Sequence, residues 1–232
     1  MKGVILQPTY LPWMGYFEMI DSADIFVVFD HVQFVRKSWQ QRNRIKGPNG
    51  EIMLTIPVKK MPRSTPICDM EISYDNNNPL ENHWKVITHA YRKADYFEDY
   101  EEVFSQTYSG KHKKLGSLNV KIIETICHIL GIKTKIIFSS ELDLKDDSLG
   151  KTERIVNLCK KTGITYLYDA EGAKEFIDTS LFDKEGIQVK FQSYEHPVYS
   201  QLFGEFIPYL SVIDLLFNEG ERALAIIRSG RT

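Results

Sequence analysis

The sequence predicts an α/β fold on a mainly parallel sheet flanked by helices, with one β-hairpin and one helical insertion. Three observations predict it. Short apolar runs alternate with helix-period segments at both ends of the chain. A long stretch at about 79–131 is helical throughout, and Gly47-Pro48-Asn49-Gly50 parts two strand-like runs. At 232 residues the chain is long enough to bury a sizeable core, and it is read as a single α/β domain over 1–232.

Lys2–Gln7 is a short apolar run ending at Pro8 and reads as the first strand. Gly15–Ser22 follows as a helix with Phe17, Met19 and Ile20 on its apolar side. Asp24–Phe29 is a β-branched and aromatic run and reads as a second buried strand, parallel to the first. Arg42–Lys46 and Glu51–Val58 form a hairpin across a four-residue connection, and Lys59–Thr65 is an exposed loop. Ile67–Ser73 reads as a further strand, and Asp75-Asn76-Asn77-Asn78-Pro79 as a breaker and helix entry. Leu115, Leu118, Ile122, Ile126 and Ile129 then keep helical spacing up to Gly131, a stop. The last third alternates: strand Thr134–Ser139, helix Gly150–Thr162 capped by Gly163, strand Thr165–Tyr168, helix Glu171–Ile177, strand Ile187–Phe191. Helices at Pro208–Phe217 and Glu221–Ile227 close it.

Composition narrows the function. A net charge of −2 lacks the basic surplus of a nucleic-acid binder. No apolar run reaches membrane-spanning length, and Met1–Leu6 reads as a strand and not as a signal peptide. Cys68, Cys127 and Cys159 are odd in number and far apart, which suits a reduced, cytoplasmic protein. The histidines show no metal-site spacing, so no metal is expected.

Chemistry concentrates at strand ends. The segment from Gln7 to Phe17 follows the first strand, where open parallel sheets bind ligands. Two prolines stiffen it; Gln7, Tyr10, Trp13 and Tyr16 suit a sugar or base, while core capping is the plainer role for Trp13 and Phe17. The segment from Asp30 to Arg44 follows the second strand. It offers Asp30, Gln33, Trp39, Gln41, Arg42, Asn43 and Arg44: carboxylate, amides for hydroxyls, guanidinium for phosphate. A solvated connector is the alternative. Gly150-Lys151-Thr152 lacks the upstream glycine of a phosphate loop, because Lys145 stands there. In the last such segment, His196 is the candidate acid-base group, flanked by Tyr194, Tyr199 and Gln201.

The ordered runs QPTYLPWMGYFE, ADIFVVFDHVQF, KSWQQRNRIKGPNG, GKTERIVNLC and HPVYSQLFGEFIPYLSVIDLLFNEG resemble the WbqC-like protein family across nearly the whole chain. Members are often encoded among genes for O-antigen and other surface polysaccharides, so the resemblance implies work on activated or amino sugars. It transfers no catalytic residue set. The first strand, Pro8-Thr9 and the Trp13-x-Gly15-Tyr16 step are also similar to nucleotidylyltransferases and pantothenate synthetase. The two histidines those enzymes use for ATP phosphates are replaced here by Trp13 and Tyr16. The fold expected is therefore Rossmann-like or nucleotidylyltransferase-like.

The leading expectation is a transferase acting on a nucleotide-linked amino sugar, with acyl or aminoacyl transfer to the sugar amine and hence an acyl or aminoacyl donor. Gln7, Tyr10, Trp13 and Tyr16 would hold the sugar or base, Arg42 and Arg44 the diphosphate, and Gln41 and Asn43 the hydroxyls; Gln33, Trp39 and Tyr199 are further substrate-binding candidates, and Asp30 or His196 would take the proton from the attacking amine. A non-catalytic sugar-nucleotide binder and a diverged nucleotidyl-transfer enzyme are the alternatives.

Overall fold

The computed structural model describes all residues except 76 and 145–148. Asn76 of the breaker signal and Lys145 therefore lie outside the described residues. Strands β1 (Lys2–Leu6), β2 (Ile25–Val28), β5 (Lys135–Phe138), β6 (Tyr166–Asp169) and β7 (Gln188–Phe191) form one sheet in the order β5-β2-β1-β6-β7. Every pairing in it is parallel. The expected α/β fold is what the chain adopts.

Alternation along the strands explains the two-sided core. On β1, Val4 and Leu6 join a large apolar cluster on one face and Ile5 joins a smaller one on the other. On β2, Phe26 and Val28 join the large cluster, Ile25 and Val27 the smaller. Helix α1 (Met14–Asp21) packs on the large side with α2 (Pro79–Tyr91), α3 (Phe97–Ser109) and α4 (Leu115–Leu130). So do α7 (Val212–Glu219) and α8 (Ala223–Ser229). Helices α5 (Lys151–Thr162) and α6 (Thr179–Asp183) cover the other face through Leu158, Cys159 and Phe182. The chain thus leaves β1 and its neighbour β6 toward opposite faces, the place where open parallel sheets make a crevice.

Helix ends follow their chemistry. Asn78 caps α2, its side chain accepting from Leu80 N and Glu81 N, with Pro79 in the first turn. Gly131 and Gly163 end α4 and α5 in the left-handed conformation, at φ 70° and 72°.

Several boundaries differ from expectation. The hairpin pairs β3 (Arg42–Gly47) with β4 (Gly50–Thr55) in register Gly47↔Gly50, so the turn is tighter than four residues. Strand β4 stops before Pro57, which has no N–H to give a ladder, and Val58 makes only an isolated bridge to Ile72. Ile67–Ser73 is not a strand: Ile67–Asp69 is one 3₁₀ turn, and Glu71 and Ile72 form single bridges. The expected helix at Glu171–Ile177 is a 3₁₀ segment, Glu171–Glu175, followed by α6. Helix α7 starts at Val212 because Ser211 caps it, which leaves Pro208–Leu210 as loop.

Candidate functional site

Three parts of the chain are sewn together at the carboxyl end of β1. The loop after β1 is held from both sides by amides. Asn43 of β3 donates from Nδ2 to Leu11 O at 2.6 Å and accepts the Arg44 N–H. Asn119 of α4 donates to Pro8 O and Gln40 O at 2.9 and 2.7 Å. This clamp holds Leu11 at φ 46°, a conformation a leucine adopts only when its surroundings impose it. On the third side, Val212 N donates to Pro12 O and Ser211 N to Arg44 O, each at 2.9 Å.

The three parts enclose a cavity of about 300 Å³, walled by Trp13, Tyr16, Trp39 and Tyr209, with Thr9, Pro12, Asn43 and Arg44 completing it. Arg44 is its cation. The guanidinium stands over the Trp39 ring at 5.7 Å, donates to both Glu51 oxygens, and donates from Nη2 to Tyr209 O. Tyr209 is also at positive φ (58°) and is 51% exposed.

The Trp13 indole is fixed by its neighbours. Tyr194 meets it edge-on at 5.6 Å, His196 stacks at 6.2 Å with planes 16° apart, and Tyr209 lies at 5.4 Å. Beneath it sits Gly15, where a Cβ would fall 2.2 Å from Trp13 Cη2. Gly15→Ala is therefore expected to expel the indole from its seat, with a stability loss of about 1–3 kcal/mol. Tryptophan emission and a urea midpoint check it; an unshifted emission maximum with wild-type stability would refute the seating.

His196 stands behind this wall with both ring nitrogens engaged. Its Nε2 accepts the Tyr209 N–H at 3.1 Å, which leaves Nδ1 as the N–H that donates to Pro197 O at 2.9 Å. Burial lowers its pKa against the opposing pull of the backbone hydrogen bonds. The arrangement is a neutral imidazole that props Tyr209 and Trp13.

The family model for the WbqC-like protein family matches residues 7–226, nearly the whole chain. The chain belongs to the WbqC-like protein family. It is 34% identical over 229 residues to the "Uncharacterized protein Rv1507c" of Mycobacterium tuberculosis (strain ATCC 25618 / H37Rv), covering 98% of this chain and 97% of that one. No solved structure matches it.

In this WbqC-like protein the cavity gathers Trp13, Tyr16, Trp39, Asn43 and Arg44 from the residues singled out in the sequence. The others lie elsewhere. Tyr10 is wholly buried, its hydroxyl 2.8 Å from both His83 Nδ1 and Tyr108 Oη, so it serves the core. Gln41 is buried and spans the hairpin entrance, accepting Lys37 N–H and donating to Ile56 O. Gln7 is exposed at the end of β1, its Oε1 accepting from Gln40. Arg42 shares the outer face of β3 with Arg44 outside the cavity lining, and Gln33 lines a different groove. Tyr199 is buried and donates to Asp214. Asp30 lies in a separate cavity at the ends of β2 and β5, where Ser139 and Ser140 hydroxyls and the Ser140 N–H donate to it. Tyr209 escaped the sequence reading, and Thr9 and Pro12 lay within the Gln7–Phe17 segment without being singled out as ligand contacts. For Tyr209 the available signal was Ser211, a capping residue that puts Pro208-Tyr209 in a loop. Among the described residues no three His, Cys, Asp or Glu are grouped to hold a metal.

Proposed function

We propose that this cavity binds a nucleotide-linked amino sugar and that the protein serves in surface-polysaccharide synthesis. The observation that carries the reading is the ring-lined cavity with one cation: Trp13, Trp39 and Tyr209 around about 300 Å³, with Arg44 at its edge. Aromatic faces suit the apolar face of a sugar or base, and that volume stands at the small end of ligand sites, room for one such ring. Arg44 supplies N–H groups for an oxygen-rich ligand, and its neighbour Arg42 extends positive charge along β3 toward a diphosphate.

Acyl or aminoacyl transfer is the catalytic form of this reading. The sugar amine nitrogen would attack the donor's acyl carbon, the acyl–leaving-group bond would break, and a base would take the proton from nitrogen. A general base contributes roughly 10²–10⁴-fold. His196 stacks behind Trp13 and meets Tyr209 edge-on, and its Nε2 lone pair is filled by the Tyr209 N–H. That hydrogen bond favours the second reading, a binder without its own chemistry; transfer requires Tyr209 to swing away.

A thermal-shift panel of nucleotide sugars tests binding, since a ligand at a hundred times its Kd stabilises by about 2.7 kcal/mol. Amino-sugar nucleotides should raise Tm. Trp39→Ala removes a half-exposed ring that the fold does not need and should weaken the response about tenfold or more with little change in unliganded Tm. No shift by any nucleotide sugar, or a shift untouched in Trp39→Ala, would overturn the assignment.

A further inference from the structure

The near-neutral total hides an uneven distribution. Residues 31–66 hold eight of the 29 Lys and Arg but a single one of the 31 Asp and Glu, Glu51. A chain of net charge −2 thus carries a local surplus of seven positive charges. The fold gathers them, because this stretch is the β3–β4 hairpin and the loops entering and leaving it.

Three of the eight are buried or already ion-paired. Lys46 is buried, Arg44 pairs with Glu51, and Lys59 with Glu71. Arg36, Lys37, Arg42, Lys60 and Arg63 make no ion pair among the described residues. All but Arg42 are exposed. Arg36 donates to Lys59 O at 2.7 Å, which ties the loop before the hairpin to the loop after it and brings their cations to one end. There a groove of about 410 Å³ has Arg36 and Arg63 among its lining over an apolar floor of Phe34, Met61 and Met70. Val35 beside it is 53% exposed, and Trp39 is 50% exposed.

Unpaired cations interleaved with exposed apolar side chains are the signature of a surface that meets anionic headgroups. A single small phosphate needs about two or three donors; four exposed cations on two tied loops, with exposed Val35 in the groove beside Arg36 and Arg63, match an extended anionic plane. We propose that this platform docks the protein on an anionic phospholipid surface, Arg36, Lys37, Lys60 and Arg63 meeting headgroups and Val35 entering between them. The docking does not depend on what the aromatic cavity binds.

The test is co-sedimentation of the full chain with phosphatidylcholine vesicles, with and without phosphatidylglycerol. The protein should pellet with the anionic vesicles at low salt, stay in solution with pure phosphatidylcholine, and be released as salt screens the contact. The R36E/K60E/R63E variant, shown folded by circular dichroism, should partition on the order of a hundredfold less. A matched reversal away from the platform, K133E/K135E/K161E, should bind as wild type. Absence of pelleting with anionic vesicles, equal pelleting of R36E/K60E/R63E, or displacement by inorganic pyrophosphate would each overturn the proposal.

Discussion

Asp214→Ala should cost about 3 kcal/mol of stability, read as a lower urea midpoint at unchanged slope. Asp214 is fully buried on α7, with Tyr91 OH donating to Oδ1 at 2.9 Å and Tyr199 OH to Oδ2 at 2.8 Å. The Tyr91 oxygen in turn accepts the Lys46 N–H at 2.9 Å, and the Tyr199 oxygen accepts from Gln201 at 3.2 Å. Gln201 Oε1 takes Lys46 Nζ at 3.1 Å. One carboxylate therefore joins β3, α2, α7 and the loop that carries Tyr209. Its removal leaves two buried hydroxyl donors unpaired and a void beside them, and networks of this kind lose more than one bond's worth. Asp214→Asn keeps one acceptor and should lose about half as much. A loss below about 1 kcal/mol in Asp214→Ala would show that the tyrosines find other partners.

The sheet was legible because its determinants are local. Val4 to Leu6 and Ile25 to Val28 are apolar on both faces, as strands buried on both faces of a sheet must be, and Gly131 and Gly163 stand where helices end. The Ile67–Ser73 stretch misled for a physical reason. Ile67, Met70 and Ile72 are buried, so the run looks like a strand, but burial pattern reports which side chains face the core and not whether a neighbouring backbone is there to pair.

The site was half legible for the same reason. Residue type marked Trp13, Trp39 and Arg44 as ligand-facing, because stacking and charge are properties of the side chain itself. Direction was not legible. Tyr10 and Trp13 belong to one loop, yet the turn at Leu11, held by Asn43 from 32 residues away, sends Tyr10 into the core. His196 read as a base because it follows a strand, while the group that fills its lone pair is a backbone N–H on a loop 13 residues on.

Asp169→Asn should stabilise the protein by about 2–3 kcal/mol at pH 7 and by nothing below about pH 4. Asp169 ends β6 beside β1 and is 6% exposed; its Oδ1 accepts the Ala170 N–H at 2.8 Å, and Oδ2 has no partner among the described residues. Burial raises its pKa to about 6, opposed only by that one hydrogen bond. The sign follows. Between about pH 4 and 6 the folded chain holds a proton that the unfolded chain has released, so wild-type stability falls as pH rises through this window and stays lowered above it. Asparagine keeps the acceptor for Ala170, carries no charge, and removes the slope. Urea midpoints of both proteins from pH 4 to 8 measure the difference directly; parallel profiles would mean that water reaches the carboxylate and the burial cost is absent. The gain expected from so small a change locates a cost that the native chain carries at the end of a central strand, where neighbouring segments diverge to opposite faces of the sheet.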